Sequence, residues 1–552
     1  MTTALLTETP EAVSVPGKVR HPKVLFTSVC KPIGEKQGDA PSVGYELLHG
    51  QITRAQGIFS PRAVHRTYGL DFIAANLEAP VTVLHYPSKA ELIRELKTGD
   101  YDYVGISFIL ATLHHMKEVS KIIREHSPKS QIILGGYGTV LPDAELRPYG
   151  DHICREEGVA FTRRLLGEPP LQNGFAHPMV VSKLKLFSKQ VSSTGMIFAG
   201  LGCPNGCDFC CTSHFFKRQH IKLLPTGRDV YNVVQMYLDE NPDSQFTILD
   251  EDFLLDHKRF GEFRDEVIRH GKPLSIFAFA SVKALSRWTM EELLEAGIDG
   301  FWIGYEGTRS GYSKQQGRPV HELFHDISSN GGTILSSMIL GFDYQNPEVI
   351  RQEFEGLMAL RPSFTQFLIY GYTYGTPLAD RVRKEGLLRE EFASNPELTY
   401  KSSTGFANMI KHPTMSRAEV EGLQEWCFNE DYQRLGPSIY RTIEAWFKGY
   451  MKHRGSQNPM LRAKAEQWAK ELRKCYPVFL TGRLFAPNGN ISAYIDELEH
   501  NIYKEIGAPS ASERALSAAA ILAAGWTKLK LSAGLFQHPR LQRNVYKQGQ
   551  LV

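Results

Sequence analysis

Cysteine is scarce in this chain: eight in 552 residues, four of them crowded between positions 203 and 211. The other four, Cys30, Cys154, Cys427 and Cys475, are scattered. That distribution excludes a disulfide framework and fits a reducing compartment, so a cytoplasmic location is expected. Charge of one sign is also missing. Lys and Arg number 63 against 60 Asp and Glu, a net +3, which argues against a nucleic-acid partner held by a broad basic surface. No run of eighteen apolar residues occurs, so no membrane span is expected. The opening Met1-Thr2-Thr3-Ala4 has no basic stretch followed by an apolar core, so no secretory signal is expected either. What remains is ordinary soluble material, 42% hydrophobic and 22% charged. Its length suits about three to four domains.

The cysteine-rich stretch is Gly202-Cys203-Pro204-Asn205-Gly206-Cys207-Asp208-Phe209-Cys210. Pro204 and Asn205-Gly206 are turn formers, so the segment is a loop able to curl its thiolates toward one region. Such thiolates suit a soft metal, either zinc or an iron–sulfur cluster. A structural zinc site needs a fourth ligand at comparable spacing, and none is evident. Cys211 points away from Cys210 on any regular backbone and reads as a small buried residue. Three ligands for a four-iron cluster leave one iron open. The segment resembles the cluster loop of the radical S-adenosylmethionine (SAM) superfamily, which implies a 4Fe-4S cluster on Cys203, Cys207 and Cys210.

Ahead of this loop, residues 1–20 read as a loose arm. Short apolar runs at 23–29, 81–85, 103–108 and 131–136 then alternate with helical patterns, after an irregular insertion at 34–68. Strand and helix alternating at this spacing predict an N-terminal doubly wound Rossmann-like sheet, whose ligands lie beyond the carboxyl ends of the strands. There stand Ser107, Thr112, Gly135, Gly136, Tyr137 and Gly138. Hydroxyls can hydrogen-bond a ligand, and glycines let it approach the backbone. Residues 21–165 resemble the cobalamin-binding domain of one branch of radical SAM enzymes. The resemblance rests on Gly105-Ile106-Ser107 with Thr112, on Leu134-Gly135-Gly136 and on Arg155-Glu156-Glu157-Gly158. The Asp-x-His-x-x-Gly motif, whose His ligates cobalt from below in other cobalamin proteins, is absent.

Residues 166–190 read as a linker. From 191 to 388 six predicted strands alternate with helices, which describes a central partial (β/α)6 barrel. Three acids, Asp250-Glu251-Asp252, end one strand, and Gly304-Tyr305-Glu306-Gly307 ends another. In the radical SAM family these are strand-tip elements, as is Gly375-Thr376-Pro377-Leu378 after the last strand. The resemblance implies that Phe209 lies against the adenine of SAM, that Glu306 and Ser281 meet its ribose or amino group, and that Asp250 lines the cleft. At Ser281 the family often has Arg.

Residues 389–552 predict a mainly helical C-terminal region whose aromatics, Trp426, Tyr432, Tyr440, Trp446, Phe447 and Tyr450, are spaced as core. Its 516–524 segment is apolar but short, so peripheral membrane contact stays open beside packing as a helix. The resemblance implies a cobalamin-dependent radical SAM enzyme, most simply a methyltransferase acting on an unactivated carbon of a small-molecule or lipid-like substrate through a 5′-deoxyadenosyl radical and methylcobalamin. An electron donor such as flavodoxin or ferredoxin would serve it. A cyclase or rearrangement enzyme using the same cofactors is the alternative. A tRNA methylthiotransferase should carry three further cluster cysteines in its N-terminal domain, where only Cys30 and Cys154 stand; a non-enzymatic cobalamin or cluster sensor would not need the strand-tip residues.

Overall fold

The computed structural model describes residues 21–30, 48–63, 66–307, 309–535 and 541–552. The expected arm at 1–20 and residues 34–47 of the insertion lie outside them. In chain order the first half forms β1 (Val24–Ser28), a two-residue β2 (Arg62–Ala63), β3 (Val81–His85), β4 (Tyr103–Ser107), β5 (Gln131–Gly135) and β6 (His152–Ile153). Every residue of β1 and β3 is buried, as continuous apolar runs require when a parallel sheet is covered on both faces. The neighbours run β3-β1-β4-β5-β6, all parallel. The chain steps from β1 out to β3 and returns past β1 to β4, so the order reverses beside β1. There Ser28 and Ser107 lie in register at the carboxyl ends, at the point where such sheets take ligands.

The second half begins with β7 (Val181–Leu186), antiparallel to β8 (Lys189–Ile197). Residues 181–186, expected within a linker, thus belong to a sheet. Their Lys-rich face hid the alternation. Then come β9 (Gly200–Leu201), β10 (Ile221–Lys222), β11 (Gln245–Ile248), β12 (Ile276–Phe279), β13 (Ile298–Glu306), β14 (Thr333–Leu340) and β15 (Phe364–Ile369). The large sheet has the order β15-β14-β13-β12-β11-β8-β7-β2. Its six strands β8 and β11–β15 are parallel neighbours, the expected partial barrel. Phe246, Phe260, Phe263, Phe301 and Phe354 fill the space between these strands and their outer helices. Several helices start on a hydroxyl three residues before an acid, as at Thr226/Asp229, Thr289/Glu292 and Ser416/Glu419. Each pair satisfies two orphan backbone donors.

Beyond residue 389 the chain is mainly helical, from Arg417–Leu435 to Ala511–Ser532. Tyr440 is wholly buried, and Trp426, Tyr432, Trp446, Phe447 and Tyr450 pack against the cores, as their spacing predicts. Lys464 is buried as well and ion-pairs with Asp299 on β13 at 2.6 Å. One element was not expected. After the last helix, β16 (Gln542–Lys547) pairs antiparallel with β3, and β17 (Gln550–Leu551) follows it. The late chain therefore completes the first sheet.

Candidate cluster and cofactor site

The cysteine loop leaves the barrel at the end of β8 and is pinned from three sides. Asp250, at the tip of β11, accepts the amides of Ala199 (2.9 Å) and Gly200 (2.7 Å) and an Arg259 Nη2–H at 2.6 Å. Both Asp250 and Arg259 are buried, and Arg259 also donates to Ala199 O at 3.0 Å. Burial alone would raise the Asp250 carboxyl, yet His220 and Arg259 hold it below the usual range. Asp250 is thus turned to the loop's own root. Within the loop, Gly202 (φ 79°) and Gly206 (φ 70°) take left-handed backbone. A Cβ on Gly202 would stand 2.3 Å from Gln219 O, so the turn admits glycine alone. Ser213 Oγ donates to Cys203 O (2.6 Å) and accepts from Gly206 N (3.1 Å). On the barrel side, Asp208 accepts from Tyr312 OH and Tyr370 OH, both at 2.6 Å. Burial and this carboxylate push both phenols well up, so each stays a donor.

Phe209 projects into the same corner, edge-to-face with Tyr312 at 5.4 Å, with Lys314 Nζ 5.6 Å from its ring centroid. Lys314 in turn pairs with Glu306. Glu306 is buried and has φ 60°, and the β13–β14 register slips between Gly304 and Glu306. A side chain in left-handed backbone at a bulge is a local strain that the fold must hold in place. Gly304 makes room for it, because a Cβ there would lie 2.2 Å from Glu306 Oε1. The structure therefore brings Phe209 and Glu306 together through Lys314. Ser281 accepts from Ala284 N at 3.1 Å to cap a short helix, beside the buried Asp252, which also feels the charge of Lys314. Asp252 accepts from Asn205 of the loop at 3.3 Å, while its Oδ1 is buried without a hydrogen-bond partner.

Between these acids lies Glu251. Its Oε1 accepts from Tyr137 OH at 3.5 Å, and its Oε2 is buried and unpartnered. Burial, with the charge of Asp250 adding, pushes its carboxyl up to about 7. Tyr137 follows β5 of the first sheet, and its ring meets Phe215 (5.2 Å) and Phe216 (6.2 Å) just behind the cysteine loop. The carboxyl end of β5 thus abuts the tip of β11. Gly136 (φ 86°) and Gly138 are glycines because a Cβ would strike Phe108, at 2.5 Å from its carbonyl and 2.2 Å from its ring. Gly135 meets nothing nearer than 3.9 Å and stays open. Ser107 ends β4 at the reversal point, and Thr112 Oγ1 donates to Ile109 O at 3.1 Å, shaping the following turn.

Cys203, Cys207 and Cys210 are the soft sulfur donor set that an iron–sulfur cluster takes. Cys203 and Cys207 are buried, which pushes their thiols up to about 11 and about 12, and each feels the charge of Cys210. Such thiols give up protons only to a strongly positive partner, as metal ligation requires. Among the described residues no three His, Cys, Asp or Glu side chains gather on a point that would hold a single ion. Cys211, half-buried behind the loop, has its thiol raised to about 11 by burial and the neighbouring Cys210.

A family model of the B12-binding domain matches residues 56–166. With the half-barrel behind it, the chain has the fold of cobalamin-dependent radical SAM enzymes. The structure of the radical SAM methyltransferase TsrM from Kitasatospora setae, with cobalamin and a 4Fe-4S cluster bound, is similar at 13% identity and TM-score 0.51, covering 82% of this chain and 99% of that one. TsrM with tryptophan substrate and a SAM analogue gives TM-score 0.52 at the same identity and coverage. Apo OxsB, a cobalamin-dependent radical enzyme, gives 0.50 at 13% identity over 94% and 81%. A search of curated proteins returned no sequence match.

Proposed function

We propose that this protein is a cobalamin-dependent radical SAM enzyme, acting as a methyltransferase on an unactivated carbon of a small-molecule or lipid-like substrate. The observation that carries the reading is the contact of Tyr137 with Glu251, because it sets the ligand edge of a B12-binding sheet against the mouth of the barrel beside the cysteine loop. Cys203, Cys207 and Cys210 would hold the 4Fe-4S cluster. Phe209, Ser281 and the Glu306–Lys314 pair would receive SAM, and Asp250 would keep the loop's root in place. Ser107, Thr112 and Gly135–Gly138 would line the cobalamin side. When bound, cluster and SAM supply radical chemistry by reductive cleavage, and cobalamin supplies a transferable methyl group. The chain itself must exclude water and fix the target carbon. Phe342, Tyr370 and Tyr372, packed around Phe209, wall one side of the mouth without supplying a base. Tyr312 and Tyr370, kept protonated, hold Asp208 and so the loop at a fixed depth.

The test is anaerobic reconstitution with iron, sulfide and cobalamin, followed by visible spectroscopy and a SAM-cleavage assay under reduction by dithionite or flavodoxin. Cluster absorbance, cobalamin retention and methionine release are expected together. Cys203→Ala, Cys207→Ala or Cys210→Ala should abolish cluster and cleavage, while Cys211→Ala keeps both. Loss of the cluster in Cys211→Ala would refute the ligand assignment, and failure to retain cobalamin would refute the two-cofactor reading.

A further inference from the structure

Away from the cysteine loop, a cleft of about 820 Å³ opens between the β7–β8 hairpin, the carboxyl end of β3 and the last turns of the Ala511–Ser532 helix. Its walls carry Arg62, Arg66, Lys183, Lys185 and Lys530, and no carboxylate is among the described residues that line it. The carboxyl end of β3 belongs to the same sheet edge as Ser107, Thr112 and Gly135–Gly138, yet none of these lines the cleft. Lys183 and Lys185 lie two apart on one strand, on the same face. Among the described residues, neither these lysines nor Arg66 has a carboxylate at ion-pair distance. The acid that Arg66 feels, Asp71, is already engaged by His85 (2.6 Å), Asn544 (2.7 Å) and Tyr546 (2.9 Å). Cations gathered in a partly buried cleft repel one another, and an anion relieves both the repulsion and the desolvation. Burial already pulls the Arg66 guanidinium below its ordinary value.

The remaining lining is apolar, with Ile58, Phe187, Leu531, Leu535 and Leu541. The helix above it shows Leu522, Trp526 and Leu529 at i, i+4 and i+7, exposed by 77%, 57% and 65%, one continuous outer stripe. We propose that this cleft binds the phosphate or diphosphate group of an amphiphilic ligand, whose apolar part lies along Phe187 and Leu531. Lys183 and Lys185 supply point charges to the oxygens, and Arg62 and Arg66 supply the planar donors that phosphate favours. This goes beyond the catalytic reading and does not depend on it.

The experiment is calorimetric titration of the reconstituted full chain with inorganic pyrophosphate, and of Lys183→Ala/Lys185→Ala at equal cluster absorbance. Binding should weaken at least tenfold in the variant and fall as salt rises. No binding to the parent protein, or equal affinity in the variant, would overturn the proposal. Excess cobalamin should leave the titration unchanged, and competition by it would reassign the cleft and overturn the proposal as well. Cosedimentation with phosphatidylcholine vesicles containing phosphatidic acid separates the sources. Retention that pyrophosphate displaces and the variant loses identifies a lipid headgroup, whereas binding of pyrophosphate without retention identifies a free ligand. Retention that the variant keeps would place the lipid elsewhere and overturn this use of the cleft.

Discussion

Glu251 is the residue whose behaviour separates the folded protein most clearly from its sequence. Its carboxyl is pushed up to about 7 by burial and Asp250, above its unfolded value near 4.5. A raised folded value favours the protonated form, so its stabilising contribution is full below about pH 4.5 and is lost as pH rises through about 7. Glu251→Gln is therefore expected to match the parent in urea melts at pH 4 and to be more stable by about 3 kcal/mol at pH 8. Equal stability of the two at pH 8 would contradict the burial argument. Lys314 answers to the opposite logic. Lys314→Ala leaves Glu306 buried without its cation and should cost about 3 kcal/mol, while Lys314→Met combined with Glu306→Gln recovers most of it. The cysteine spacing and the glycine-flanked acid at the end of β13 are legible in the sequence as positions. The anchoring of Asp208 is not legible there. Its two tyrosine partners stand 104 and 162 positions away, and nothing local in Cys207-Asp208-Phe209 points to either.

At the scale of elements, nearly every strand and helix of the two sheets lies where apolar runs and periodicity put it, because parallel strands buried on both faces leave so plain a pattern. Val81–His85 coincides with its expected limits, and Tyr103–Ser107 and Gln131–Gly135 end one residue short of theirs. The hairpin strand Val181–Leu186 was missed because Lys183 and Lys185 stand on its outer face and the run reads as polar. The β5 exit teaches a different lesson. Glycines there suit a ligand's approach, yet Gly136 and Gly138 are also demanded by the chain's own Phe108. Gly136→Ala combines a left-handed backbone with a carbonyl clash, so it should destabilise the first sheet by about 2 kcal/mol or more. Hydrogen exchange of the β4 and β5 amides would register the loss, and unchanged protection there would argue against the packing described.

At the scale of the molecule, β16 ties the late chain to the first domain, and no periodicity within Gln542–Lys547 foretells its partner. Its Asn544 and Tyr546 side chains donate to the buried Asp71 at 2.7 and 2.9 Å, and Arg543 clasps Glu95 with two contacts of 2.9 Å. Removing residues 541–552 should uncover the β3 edge and leave Asp71 with His85 alone. We expect aggregation by light scattering and faster proteolysis of the first domain, with the barrel's cluster absorbance retained. Loss of that absorbance together with the first sheet would mean the two halves unfold as one unit. The same strand bears on how the protein is made. Arg543 follows Glu95 by 448 positions, which a ribosome at roughly 5–20 residues per second covers in about 20–90 s. Throughout that interval the nascent first domain carries an open β3 edge, the kind of edge at which one chain pairs with another.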